Sequence, residues 1–66
     1  MEITVNGKQQ QVPDNYTAAA LVESLGLTGK RIAMEVNLEI VPRSCYDSHA
    51  LAAGDHIEIV HAVGGG

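Results

Sequence analysis

The chain is poorest in what small domains most often lean on. It has a single cysteine, Cys45, so no internal disulfide can form, and it has no Cys/His cluster able to complete a four-ligand zinc site. Trp and Phe are absent, so the core must be aliphatic. Lys and Arg number 4 against 8 Asp and Glu, for a formal net charge of −4. Lys8, Lys30, Arg31 and Arg43 are too few for the dense basic patch that nucleic-acid binding draws on. No apolar run approaches a transmembrane span. The first residues show no basic region, apolar stretch and cleavage site of a signal peptide. With the lone thiol, this leads us to expect a cytoplasmic protein that binds neither nucleic acid nor membrane.

At 66 residues the expectation is one domain. A chain of this size hides only about 60% of the surface its unfolded form exposes. It has little room for a deep cleft, since pockets usually sit between domains or inside larger folds. A self-sufficient enzyme is therefore not expected.

The periodicities order the chain. Met1, Ile3 and Val5 alternate on one face of a first strand. Asn6-Gly7 then signals a two-residue type I′ hairpin, which needs φ > 0 at both central positions. Lys8 to Val12 returns as a polar edge strand, with Val12 opposite Met1. Thr17 is placed to cap a helix running to Leu25, because Ala18, Leu21, Val22 and Leu25 form one apolar stripe. Tyr16 would staple onto Leu21. Gly26 would take the left-handed position after the helix, with Leu27 folding back.

Ile32, Met34 and Val36 point inward from the next strand. Asn37-Leu38-Glu39 turns the chain, Ile40-Val41 is a short strand ended by Pro42, and Arg43 to Ala53 is irregular around Leu51. His56 to His61 is the last strand, with Ile57 and Ile59 inward. The order predicts an α+β fold, one helix crossing one face of a mixed four- to five-stranded sheet. The simplest layout sets the last strand beside the first, in the centre.

Several chemistry-bearing groupings dissolve on inspection. Gly26-Leu27-Thr28-Gly29-Lys30-Arg31 lacks the first glycine of a phosphate-binding loop, has Arg after Lys, and precedes a strand rather than a helix. Cys45 and His49 are two ligands at best and read as a free thiol and a solvated histidine. Ser44, Asp47, Ser48 and His49 are too close in sequence for a triad. His56 and His61 read as surface residues. With Ile57 and Ile59 inward, Val60 points outward, and Val63 and Val41 are expected to join it in an exposed apolar patch suited to docking.

The last residues, Val63-Gly64-Gly65-Gly66, follow directly on the final strand. Glycine has no Cβ, so such a tail can enter a slot too narrow for side chains. Ala62 to Gly66 would reach on the order of 16 Å when extended. A carboxylate on a thin arm suits a chain whose terminus is the reacting group.

Taken together, Met1-Glu2-Ile3-Thr4-Val5-Asn6-Gly7, the Thr17–Leu25 helix, Val36-Asn37-Leu38-Glu39-Ile40-Val41-Pro42-Arg43, and Leu51 to Val60 with Gly54-Asp55, running into the glycine end, carry a resemblance over essentially the whole chain. It resembles the small sulfur carriers of the β-grasp (ubiquitin-like) family, the ThiS-type carriers of thiamine biosynthesis most of all. The resemblance implies a β-grasp domain over 1–62 and a flexible glycine tail over 63–66. It implies a non-enzymatic, cytoplasmic carrier, monomeric when free. Its Gly66 carboxylate is adenylated and converted to a thiocarboxylate that donates sulfur for thiazole formation.

Gly64 and Gly65 would thread the partner's channel, and Val60, Val63, Val41, Pro42 and Arg43 would dock. The implied partners are a ThiF/MoeB-like adenylyltransferase, a thiazole synthase and a sulfur donor such as a cysteine desulfurase. ATP and Mg belong to the adenylyltransferase, and the chain itself is expected to bind no cofactor. Two further readings stay open: a carrier of the same fold for molybdopterin or sulfur amino-acid synthesis, and a ubiquitin-like protein modifier. A nucleotide- or RNA-binding β-grasp module is disfavoured by the charge.

Overall fold

The computed structural model describes residues 1–61. Strand β1 (Glu2–Val5) and strand β2 (Lys8–Gln11) form the first hairpin. Asn6 and Gly7 both take positive φ, 50° and 82°, as the type I′ turn requires. Val5 lies opposite Lys8 and Glu2 opposite Gln11. The Val12 N–H donates to the Met1 carbonyl, so Val12 stands where the alternation put it, in the core.

Helix α1 (Ala18–Ser24) stops one residue short of the expected end, with Leu25 as its C-cap. A short helix must satisfy its free N–H groups locally. The Ala20 N–H donates to Thr17 Oγ1 at 3.1 Å, and the Ala18 and Ala19 N–H groups donate to the carbonyls of His49 and Tyr46. At the other end Gly26 has φ 73°, its N–H donates to Glu23 O and the Leu27 N–H to Val22 O, a complete Schellman closure. Ala18, Leu21 and Val22 are buried; Leu25, expected in the same stripe, is at its exposed margin. Tyr16 packs on the core that includes Leu21, and its hydroxyl donates to the Ala20 carbonyl.

Strand β3 (Ile32–Val36) and strand β4 (Glu39–Val41) form a second hairpin. Its turn is two residues, Asn37 and Leu38, with φ 51° and 70°; Glu39, expected in the turn, is already in the strand opposite Val36. A short 3₁₀ turn (Arg43–Cys45) follows. Strand β5 (His56–His61) closes a five-stranded sheet of order β2-β1-β5-β3-β4. β5 is therefore central, parallel to β1 and antiparallel to β3.

One face of the sheet supplies Ile3, Val5, Met34, Val36, Val41, Ile57 and Ile59 to a core closed by the helix, Leu51 and Tyr46. The burial of Tyr46 was not anticipated, because the segment around it has no periodicity. No helix among the described residues is long and apolar enough to cross a membrane.

Candidate functional site

β5 is the strand that hands the chain on to residues 62–66. Val63, Gly64, Gly65 and Gly66, and the domain boundary expected at 62, lie outside the described residues. What the structure does place is the strand before them. β3 pairs with β5 as far as His61, opposite Ile32, whereas β1 flanks only its first residues, His56 and Ile57.

Two asparagines lock β5 from either side. Asn6, in the first turn, accepts the Ile59 N–H on Oδ1 at 2.8 Å and donates from Nδ2 to the Ile59 carbonyl at 3.2 Å. Asn37, in the second, accepts the His56 N–H at 2.9 Å and donates to Asp55 Oδ1 at 2.9 Å. Asp55 Oδ2 accepts the Ala52 N–H. The Asn37…Gly54-Asp55 part of the sequence pattern is thus a brace on the entry to β5.

The sheet face away from the helix carries the outward residues. In β5 these are His56, Glu58 and Val60. Register sets Val60 opposite Ala33, Glu58 opposite Glu35, and Glu35 opposite Ile40. Val60 is 56% exposed, Ile40 74% and Leu38 88%; large aliphatics so exposed and so close form an apolar patch rather than scattered surface residues. Together with Ala33, Glu35 and Glu58 they line a shallow concavity of about 350 Å³.

Val60 is outward, as expected from the alternation. Val41, expected in the same patch, is a correction: it is only 6% exposed and faces the core. The reason is register, because Val41 stands opposite the buried Met34 and must point the same way. Pro42 is the residue capping the start of the 3₁₀ turn and is exposed. Arg43 is exposed, its guanidinium donating one bond to the Lys30 carbonyl at 2.6 Å beside a second concavity between helix and loop.

Leu38 and Ile40 were missed. Parity could have found Ile40, since a two-residue turn with Val36 and Val41 inward forces it out. Leu38 could have been found as an apolar residue in a turn position that favours Gly or Asn. Cys45 is exposed, and His49 relates to it through its backbone N–H, which donates to the Cys45 carbonyl.

The model of the ThiS family matches residues 1–66. The sulfur carrier protein ThiS of Bacillus subtilis is 38% identical over 65 residues, covering 97% of this chain and 98% of that protein. A thiazole synthase of Paramagnetospirillum magneticum is 41% identical over 66 residues; this whole chain spans only 20% of that longer protein. Among solved structures, the crystal structure of a thiamine biosynthesis protein (ThiS) from Geobacter metallireducens superposes with a TM-score of 0.86 at 29% identity, covering 100% of both chains. The α+β architecture expected from the order of elements, one helix on a mixed sheet, is the one observed, and the β-grasp fold implied by the resemblance is that of the matched ThiS structure.

Proposed function

This chain belongs to the ThiS family, and we propose that it is a cytoplasmic sulfur carrier of thiamine biosynthesis, a cosubstrate rather than an enzyme. The observation that carries this reading is the family match, which runs through the glycine end as well as the folded body. A carboxylate is a poor acyl donor, because its leaving group would be an oxide. A partner adenylyltransferase, which binds ATP with its magnesium, joins the Gly66 carboxylate to AMP and releases pyrophosphate. The terminal sulfur of a persulfide supplied by a cysteine desulfurase then displaces AMP to give an acyl disulfide. A second thiol cleaves its S–S bond, being oxidised to a disulfide and leaving a thiocarboxylate on Gly66. A thiazole synthase takes that sulfur.

In this scheme the side chains present the main chain and do not react. Gly64 and Gly65 pass the partner's channel because they carry no Cβ. Asn37 holds β5 at its start and Asn6 holds it at Ile59, two residues before its end, so the tail leaves from a fixed strand. Val60 docks, joined by Leu38 and Ile40 on the same face. Val63, Pro42 and Arg43 are proposed to touch the partner nearer the tail.

Incubation with the adenylyltransferase, ATP and a sulfur donor should raise the intact mass by about 16 Da, the difference between sulfur and oxygen. Deleting Gly66 should abolish the gain and leave the melting curve unchanged. A deletion variant modified at the same rate would count against the mechanism, as would a native protein that continues past Gly66. Isopeptide-linked adducts on host lysines, without a thioacid, would point to a modifier instead.

A further inference from the structure

The uncovered sheet face holds two carboxylates where the fold alone gives them no use. Glu35 and Glu58 are register partners on adjacent antiparallel strands, a placement that sets Cα atoms about 4.5–5.5 Å apart. Like charges directly opposite destabilise a sheet. Neither carboxylate has an ion-pair partner among the described residues. Lys8, the single Lys or Arg within the strands, stands opposite Val5 and so belongs to the helix-side row. The other ionisable residues of the outer face are Glu2 and His56, neither of which lies in the row of Glu35 and Glu58.

The pair borders the concavity whose other walls are Ala33, Leu38, Ile40 and Val60. An apolar hollow with an uncompensated double negative charge on its rim is complementary to one kind of surface, an aliphatic or aromatic side chain flanked by Arg or Lys. A second copy of this chain does not fit. A twofold contact through this face would set the same carboxylates against themselves, on a chain whose net charge is already −4.

We infer that the outer face of β4, β3 and β5 receives a basic, apolar-centred surface of the thiazole synthase, with an Arg or Lys of that enzyme seated between Glu35 and Glu58. This rests on the carrier reading above. The synthase is the partner because a segment like this chain is one fifth of a longer polypeptide named thiazole synthase in one relative. The repulsion between Glu35 and Glu58 in the free protein is then relieved on docking, so stability of the free carrier and affinity for the synthase are traded against each other at these two positions.

The test measures binding of the full chain to the thiazole synthase of the same genome by calorimetry, at low and high salt, beside the melting temperature of the carrier alone. The double variant Glu35→Gln/Glu58→Gln should bind about tenfold more weakly at low salt and lose most of the salt dependence. It should melt about 2 °C higher, because the like-charge pair is gone. Glu58→Lys should weaken binding further while making a favourable cross-strand pair with Glu35.

A double variant that melts higher yet binds like the wild type, with the same salt slope, overturns the proposal. So does sedimentation showing a wild-type dimer that the double variant dissociates. Failure of the carrier reading shows separately, as a wild-type chain that gains no sulfur mass with the adenylyltransferase. If that gain is intact and the variants bind unchanged, only the docking inference falls.

Discussion

The molecule makes the same turn twice and finishes it differently. Asn6-Gly7 and Asn37-Leu38 are both two-residue hairpin turns with positive φ throughout. Both begin with an asparagine whose carboxamide bonds to β5 or to the residue before it. In the first, the second position is glycine, which takes left-handed φ without penalty. In the second it is leucine at φ 70°, 88% exposed. Left-handed backbone costs an ordinary residue roughly 1–2 kcal/mol, and this leucine recovers nothing by burial. The first hairpin is built for stability. The second keeps an apolar side chain in a strained, wet position, which is where a binding role is to be sought.

The largest expected effect breaks the feature the two turns share. Asn6→Ala removes both bonds to Ile59 and the residue type that tolerates φ 50°. At about 1 kcal/mol for each bond, plus part of the backbone penalty, the loss should be about 2–3 kcal/mol. Calorimetry should show a melting temperature lower by roughly 10–15 °C. A drop within a degree or two of wild type would mean that β5 is held by its ladder alone.

The next effect makes the first turn like the second. Gly7→Leu should cost about 1 kcal/mol, read as a lower urea midpoint at unchanged slope. No Cβ clash contributes, since nothing lies within 4 Å of one built at Gly7. A variant as stable as wild type would remove the claim that Leu38 is strained.

Most of this was legible where residues repeat at short range. Period-two alternation placed Ile3, Val5, Met34, Val36, Ile57 and Ile59 inward, and every one is buried. Thr17 and Gly26 marked the helix ends because capping is local chemistry, observed as the Thr17 Oγ1 bond and the closure at Gly26. What escaped was decided at long range. The 3₁₀ segment is tied to the helix start through Tyr46 and His49 carbonyls and through Leu51, whose N–H donates to the Tyr16 carbonyl. None of those bonds leaves a periodic trace.

The misplacement of Val41 came from the turn. Counting Glu39 into it left the parity of the next strand undetermined, and parity decides which of Ile40 and Val41 faces out. The pairing of Glu35 with Glu58 likewise appears only once β3 and β5 are known to be neighbours.

The smallest effect is the most informative about the comparison, because its sign is opposite. Leu38→Gly makes the second turn like the first. It relieves the left-handed penalty, and the freer unfolded chain takes back part of that gain, for a net stabilisation of about 0.5 kcal/mol. The urea midpoint should rise slightly at unchanged slope. The same change removes one apolar wall of the concavity, so affinity for the thiazole synthase should fall about tenfold, the loss typical of one well-placed apolar contact. Leu38→Asn separates the two contributions, since it also tolerates positive φ but leaves a polar side chain in the hollow. If both variants gain stability and lose binding, the leucine is there for the partner. If both gain stability and bind as before, the second hairpin is merely an imperfect copy of the first.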